Sequence, residues 1–244
     1  MTGNPTLSEK TFQQPRPLAV GEVMTVQGAV NKTAILLLLT IISGTFTWNM
    51  VSKGAAGSAN GIAIIGGLIG FVVAIVTSFK PAWSPVTAPI YAVVEGLFIG
   101  GISYMFEARL PGVVAQAVML TFGTLAALLA AYSTGMIRVS TAFRRGIIAA
   151  TGGIALVYIA SMVLGFFHIQ IPGIFGSGAI GIGFSLVVVV IAAMNLVLDF
   201  DMIESGAQMG APKYMEWYSG FALLVTLIWL YLEILRLLSK LNKR

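Results

Sequence analysis

Three carboxylates, Asp199, Asp201 and Glu204, close a long apolar run that begins near residue 176, and they make up a third of the nine acidic side chains in the chain. Another, Glu95, lies alone inside a separate apolar run. A carboxylate is costly to place in lipid and usually marks a proton or cation route. Its oxygens also suit a hard cation such as Ca²⁺, and neighbouring carboxylates share protons because like charges do not all ionise cheaply. Burial disfavours the charged form of a carboxyl, so a site of this kind responds to pH. Proton and metal then compete for one group.

The elements that must position these groups are membrane helices. The chain is 57% apolar and 9% charged, against roughly one-quarter charged residues in a soluble domain. Runs long enough to cross a hydrocarbon core, about 20 residues each, recur at 33–51, 60–78, 88–106, 113–132, 146–167, 176–198 and 217–238. This pattern predicts an all-α integral membrane bundle of seven transmembrane helices. The connections are too short to fold alone. The expected organisation is a polar cytoplasmic tail over 1–32, a seven-helix domain over 33–238 and a basic tail over 239–244. The amino-terminal tail, with Gln13-Gln14-Pro15-Arg16-Pro17, lacks the basic and apolar blocks of a signal peptide. The absence of cysteine excludes disulfides, thiol chemistry and cysteine metal sites.

A cytoplasmic amino terminus puts Lys10, Arg16, Lys32, Lys80, Arg138, Arg144, Arg145 and Lys213 on the inner side, against Lys53 and Arg109 opposite. Arg236, Lys240, Lys243 and Arg244 then fall outside if the last segment crosses completely; the other solution is that it does not span. The net charge of +5 is explained by this topology, and no nucleic-acid partner is expected. At 1.5 Å per residue, Glu95 lies roughly 10 Å into its span. Glu95, Asp199, Asp201, Glu204 and Glu216 all belong to the inner half. Glu233, about 24 Å along the seventh helix, belongs near the outer face and to a different job. Asp201 and Glu204 share a helix face with Gln208, whereas Asp199 shares the other with Asn195. The preferred rotation turns Asp201 toward Glu95 and lets Asp199 or Glu204 meet water at the cytoplasmic mouth.

Plainer roles stand beside these. The acids from 199 to 204 suit a helix end emerging into water near Lys213, and Glu95 suits a buried group that orients neighbouring helices. Glu233 and Arg236, three apart, suit a local ion pair. Gly66 with Gly70, and Gly96 with Gly100, allow close helix approach. Trp83, Tyr104, Trp217 and Tyr218 suit interfacial anchors. His168 is the single histidine and cannot build a familiar zinc site. Neither HExxH, GxSxG nor GxxxxGK[ST] is present, and the last span has no lysine before Lys240 for a Schiff base. No enzymatic activity and no cofactor are expected.

The stretch Tyr91-Ala92-Val93-Val94-Glu95-Gly96-Leu97-Phe98-Ile99-Gly100, with its Glu-Gly pair, resembles the third helix of the Bax inhibitor-1 or YccA-like family, also called the transmembrane BAX inhibitor motif family. Phe200-Asp201-Met202-Ile203 resembles the family's sixth-helix Phe-Asp pattern, and Leu230-Tyr231-Leu232-Glu233-Ile234-Leu235-Arg236 its last helix. Met24-Thr25-Val26-Gln27-Gly28-Ala29-Val30 is similar to a bacterial branch. The resemblance implies a seven-helix protein of the bacterial inner membrane acting as a cation leak, chiefly for Ca²⁺, gated by protonation of an acid pair on the last two helices. Asp201 takes the sixth-helix position and Glu95 the third-helix acid, the two groups that would meet the ion. The seventh-helix acid is Glu233 if the preceding loop carries an insertion; an ungapped alignment puts Val225 or Thr226 there. Without Glu233 the gate falls to Glu95, Asp199 or Glu216. The alternatives are a non-transporting stress regulator that binds a protease or other membrane partner, and a proton-coupled cation exchanger.

Overall fold

The computed structural model describes residues 23–54, 56–167 and 173–242, with only the backbone for 56–60. His168, Lys10, Arg16, Lys243, Arg244 and most of the amino-terminal tail lie outside the described residues. Among the described residues seven α-helices follow in order: α1 (Val26–Ser52), α2 (Ala56–Phe79), α3 (Ser84–Arg109), α4 (Val113–Ser133), α5 (Thr141–Phe166), α6 (Ala179–Gln208) and α7 (Met215–Leu241). All seven contain a segment long and apolar enough to cross a membrane. The fold is an all-α integral membrane protein of seven transmembrane helices, as composition and the lengths of the apolar runs predict.

Local chemistry sets the helix ends. Thr25 has extended backbone and caps α1, its hydroxyl accepting from the Gly28 amide at 2.9 Å. Ser140 caps α5 in the same way through the Phe143 amide. A 3-10 turn at Pro81–Trp83 leads into α3, whose first turn carries Pro85, where a missing N–H costs nothing. The helices outrun the apolar windows. α1 begins seven residues before its window and α6 runs on to Gln208, because hydrogen bonding continues until a cap or glycine intervenes, whereas hydropathy marks only the hydrocarbon crossing.

The chain forms two compact units. The first contains α1, α2 and α3 with the segment Asp201–Val225. Here α1 and α2 both pack on α3 through glycine. A methyl group at Gly100 would run into the Gly44 backbone, one at Gly96 into Thr40 and Ser43, and one at Gly66 to within 2.8 Å of the Val94 carbonyl. The close approaches expected of these glycines are therefore present. Hydroxyls on the buried side of α1 bond back to their own helix, Thr33 to the Ala29 carbonyl and Thr40 to that of Leu36. Thr40 also reaches the Ala92 carbonyl of α3 at 3.1 Å. Such bonds replace the water that a membrane lacks.

The second unit contains α4, α5, α6 as far as Phe200 and α7 from Thr226. Asn195 on α6 donates to the Thr151 hydroxyl on α5 at 2.8 Å. Tyr158 of α5 stacks edge-on to Phe184 of α6. α5 is the least enclosed helix and α7 the most. Leu156, Met162 and Phe166 stand exposed on α5, a surface that hydrocarbon solvates and water would not.

Candidate functional site

Glu95 sits in the middle of α3 and is 9% exposed. Among the described residues no hydrogen bond or ion pair reaches its carboxylate; Tyr91, one turn earlier on the same face, lies close enough to feel its charge. The space for this side chain is provided by α2: a methyl at Gly70 would lie 2.5 Å from Glu95 Oε2. Gly70 thus gives the carboxylate room as well as letting two helices approach. Tyr91 itself is buried edge-on against Phe221 of α7, with ring centroids 4.9 Å apart.

The acids of α6 have three different environments. Asp199 is fully buried and belongs to the second unit, Asp201 is half-buried and belongs to the first, and Glu204 is exposed, accepting from Gln208 at 3.3 Å. All three lie within the helix, which continues to Gln208. A helix end emerging into water thus describes Glu204 and does not describe Asp199. Of the two acids expected at the mouth, Glu204 is the one that faces outward.

Glu216, in the first turn of α7, is buried and held by three donors on one oxygen. Oε1 accepts from the Thr25 amide at 3.0 Å, the Thr25 hydroxyl at 3.0 Å and Lys213 Nζ at 2.7 Å. The carboxylate lies over the first turn of α1, where an anion is favoured by the helix dipole and the orphan amides, and only a glycine at position 28 leaves it space. Around it, the Met24 amide donates to the Ala211 carbonyl, Ser84 to that of Tyr214, and Lys32 lies 4.6 Å over the Trp217 ring. The α6–α7 connection therefore clasps the starts of α1 and α3. Thr25→Ala removes both the helix cap and one donor to Glu216, and is expected to cost about 1–2 kcal/mol, measured by unfolding of the full chain in detergent.

Glu233, in the second unit, is 2% exposed at its side chain and closes a three-member cluster. Tyr158 donates to Oε1 at 2.8 Å, Arg236 Nη1 donates to both carboxylate oxygens at 2.8 and 3.1 Å, and the same nitrogen reaches Tyr158 Oη at 2.7 Å. The local ion pair with Arg236 is present as the three-residue spacing predicts. Tyr158 lies 75 positions away in sequence, and no local pattern reveals it. The contacts of Thr25 with Glu216 and of Gly70 with Glu95 are equally invisible along the chain.

The first unit thus holds Glu95, Asp201, Glu204 and Glu216, and the second holds Asp199 and Glu233. Among the described residues, no group of three or more His, Asp or Glu side chains is placed to hold a metal ion. Seven apolar helices with carboxylates between them define a multi-pass helical membrane protein, whose surroundings are a lipid bilayer. The Bax inhibitor 1 like family model matches residues 4–243, nearly the whole chain, and the chain belongs to that family. No curated protein matches it.

Proposed function

We propose that this protein is a pH-sensitive leak for Ca²⁺ or a related cation in the bacterial inner membrane, with a cytoplasmic amino terminus, gated by protonation of carboxylates inside the membrane. Glu95 and Asp201 line the route and meet the ion. The observation that carries the reading is Glu95, nine-tenths buried with no hydrogen-bonding or ionic partner among the described residues. A carboxylate satisfied by its neighbours is structural; one left without them binds a proton or a cation, and exchanging the two alters its charge. In this reading Glu204 sits at the mouth, and Glu216 and Glu233 hold helices in place. The protein is not an enzyme and needs no cofactor.

The test is Ca²⁺ entry into dye-loaded proteoliposomes at several pH values. Wild type is expected to show flux that varies with pH, and Glu95→Gln and Asp201→Asn to lose that variation while expressing normally. Gly70→Ala supplies a steric counterpart, because its methyl displaces the flexible end of Glu95; its pH profile shifts while its thermal stability stays near wild type. The occupied carboxylates of Glu216 and Glu233 favour a second reading, a non-transporting regulator that binds a membrane partner and uses its acids for packing. Absence of flux above empty vesicles, with folding verified, would select it.

A further inference from the structure

Lys240, near the carboxyl end of α7, is 5% exposed. Its Nζ donates to the Ile174 carbonyl at 3.0 Å, the Gly181 carbonyl at 2.9 Å and the Ser185 hydroxyl at 2.8 Å. All three ammonium hydrogens are used, and every acceptor is a neutral oxygen. A lysine this far from water ordinarily takes a carboxylate as its contact. The acid on the same face of α7, Glu233, is instead engaged by Arg236 and Tyr158, and the charges of Arg236 and Glu233 act on Lys240 with opposite signs.

The backbone builds the cradle. Gly173 has φ +85°, and the carbonyls of Gly173 and Gly176 lie against the first turn of α6 at Gly181. A methyl at Gly181 would collide with the Gly176 carbonyl and lie 2.8 Å from the Gly173 carbonyl. Carbonyl oxygens are therefore crowded around the start of α6, in an arrangement that glycine at 181 permits. Irregular backbone beside a helix end can line an ion site. Backbone carbonyls are also the groups that replace the hydration shell of monovalent cations in selectivity filters.

We propose that the carbonyls of Ile174 and Gly181 and the hydroxyl of Ser185 form a binding site for an ammonium-sized monovalent cation, which the intact chain keeps filled with the tethered ammonium of Lys240. The site suits a monovalent ion because its contacts carry no charge; Ca²⁺ takes six to eight oxygens, carboxylates prominent among them. None of the residues assigned to the leak takes part, so this inference stands apart from that reading.

The experiment uses the full-length protein in detergent at matched ionic strength. Lys240→Ala is expected to lower the thermal midpoint in N-methylglucamine chloride and to recover it, saturably, in methylammonium or potassium chloride. Equal midpoints in all three salts, or no recovery in either small cation, would overturn the proposal. Should that variant fail to fold, Ser185→Ala keeps the lysine and removes one oxygen. Acylation of Lys240 by an amine-reactive reagent, relative to the exposed Lys213, is then expected to rise about tenfold, the equivalent of one lost charge-assisted hydrogen bond. Unchanged acylation would count equally against the site.

Discussion

Glu233→Ala is expected to destabilise the full-length protein by about 3 kcal/mol, the cost of removing one member of a buried ion pair. The carboxylate is 2% exposed and takes hydrogen bonds from Tyr158 and Arg236, so its removal leaves a guanidinium and a phenol facing apolar surroundings. The figure sits at the lower end of the buried-pair range because the Arg236 side chain is 39% exposed and can turn outward. Unfolding midpoints in detergent give the measurement. The paired substitution Glu233→Gln with Arg236→Met is expected to recover most of the loss, since taking out both charges also removes the desolvation they had to overcome. If the double variant is as unstable as the single one, the cluster acts through packing, and its charges are incidental.

Gly100→Ala is expected to cost about 1–3 kcal/mol, typical of forcing volume into a filled contact. The added methyl meets backbone atoms of Gly44, which no rotamer change can move, so α1 and α3 must separate along their contact. Gly152 in α5 is the control. Nothing lies within 4 Å of a methyl there, and alanine in a helix interior is favoured over glycine by about 1 kcal/mol. Gly152→Ala is therefore expected to hold or raise the midpoint. Equal losses at both positions would mean that the effect is not contact between helices. The Gly100 variant also has a functional consequence in the proposed reading: α3 carries Glu95, so a shift of α3 is expected to alter Ca²⁺ flux together with stability.

These expectations separate what is legible along the chain from what is not. The glycine pairs on α2 and α3 could be read directly, because residues four apart in a helix share a face and small ones allow backbones to meet. Glu233 and Arg236 were legible as an ion pair for the same geometric reason. Lys240 continues that face, seven residues after Glu233, yet nothing local reveals that its contacts are the Ile174 and Gly181 carbonyls. Glu216 reads from sequence as an acid at a membrane boundary; its role as a clasp depends on Thr25, 191 positions earlier. Gly70 reads as a packing residue, and the room it leaves for Glu95 is seen only with α2 laid against α3.

Composition and local spacing specify the seven helices, their membrane setting and the small set of acids available for ion chemistry. Hydrogen bonding within a helix and transfer of side chains to lipid depend on residues at most four apart or on composition over about twenty. Tertiary structure alone decided which acids are already satisfied. It buries Asp199 and exposes Glu204 within one helix, engages Glu216 and Glu233, and leaves Glu95 beside Gly70. The physical reason is that a buried charge takes its character from whatever approaches within hydrogen-bonding distance, and in this chain those groups come from other helices.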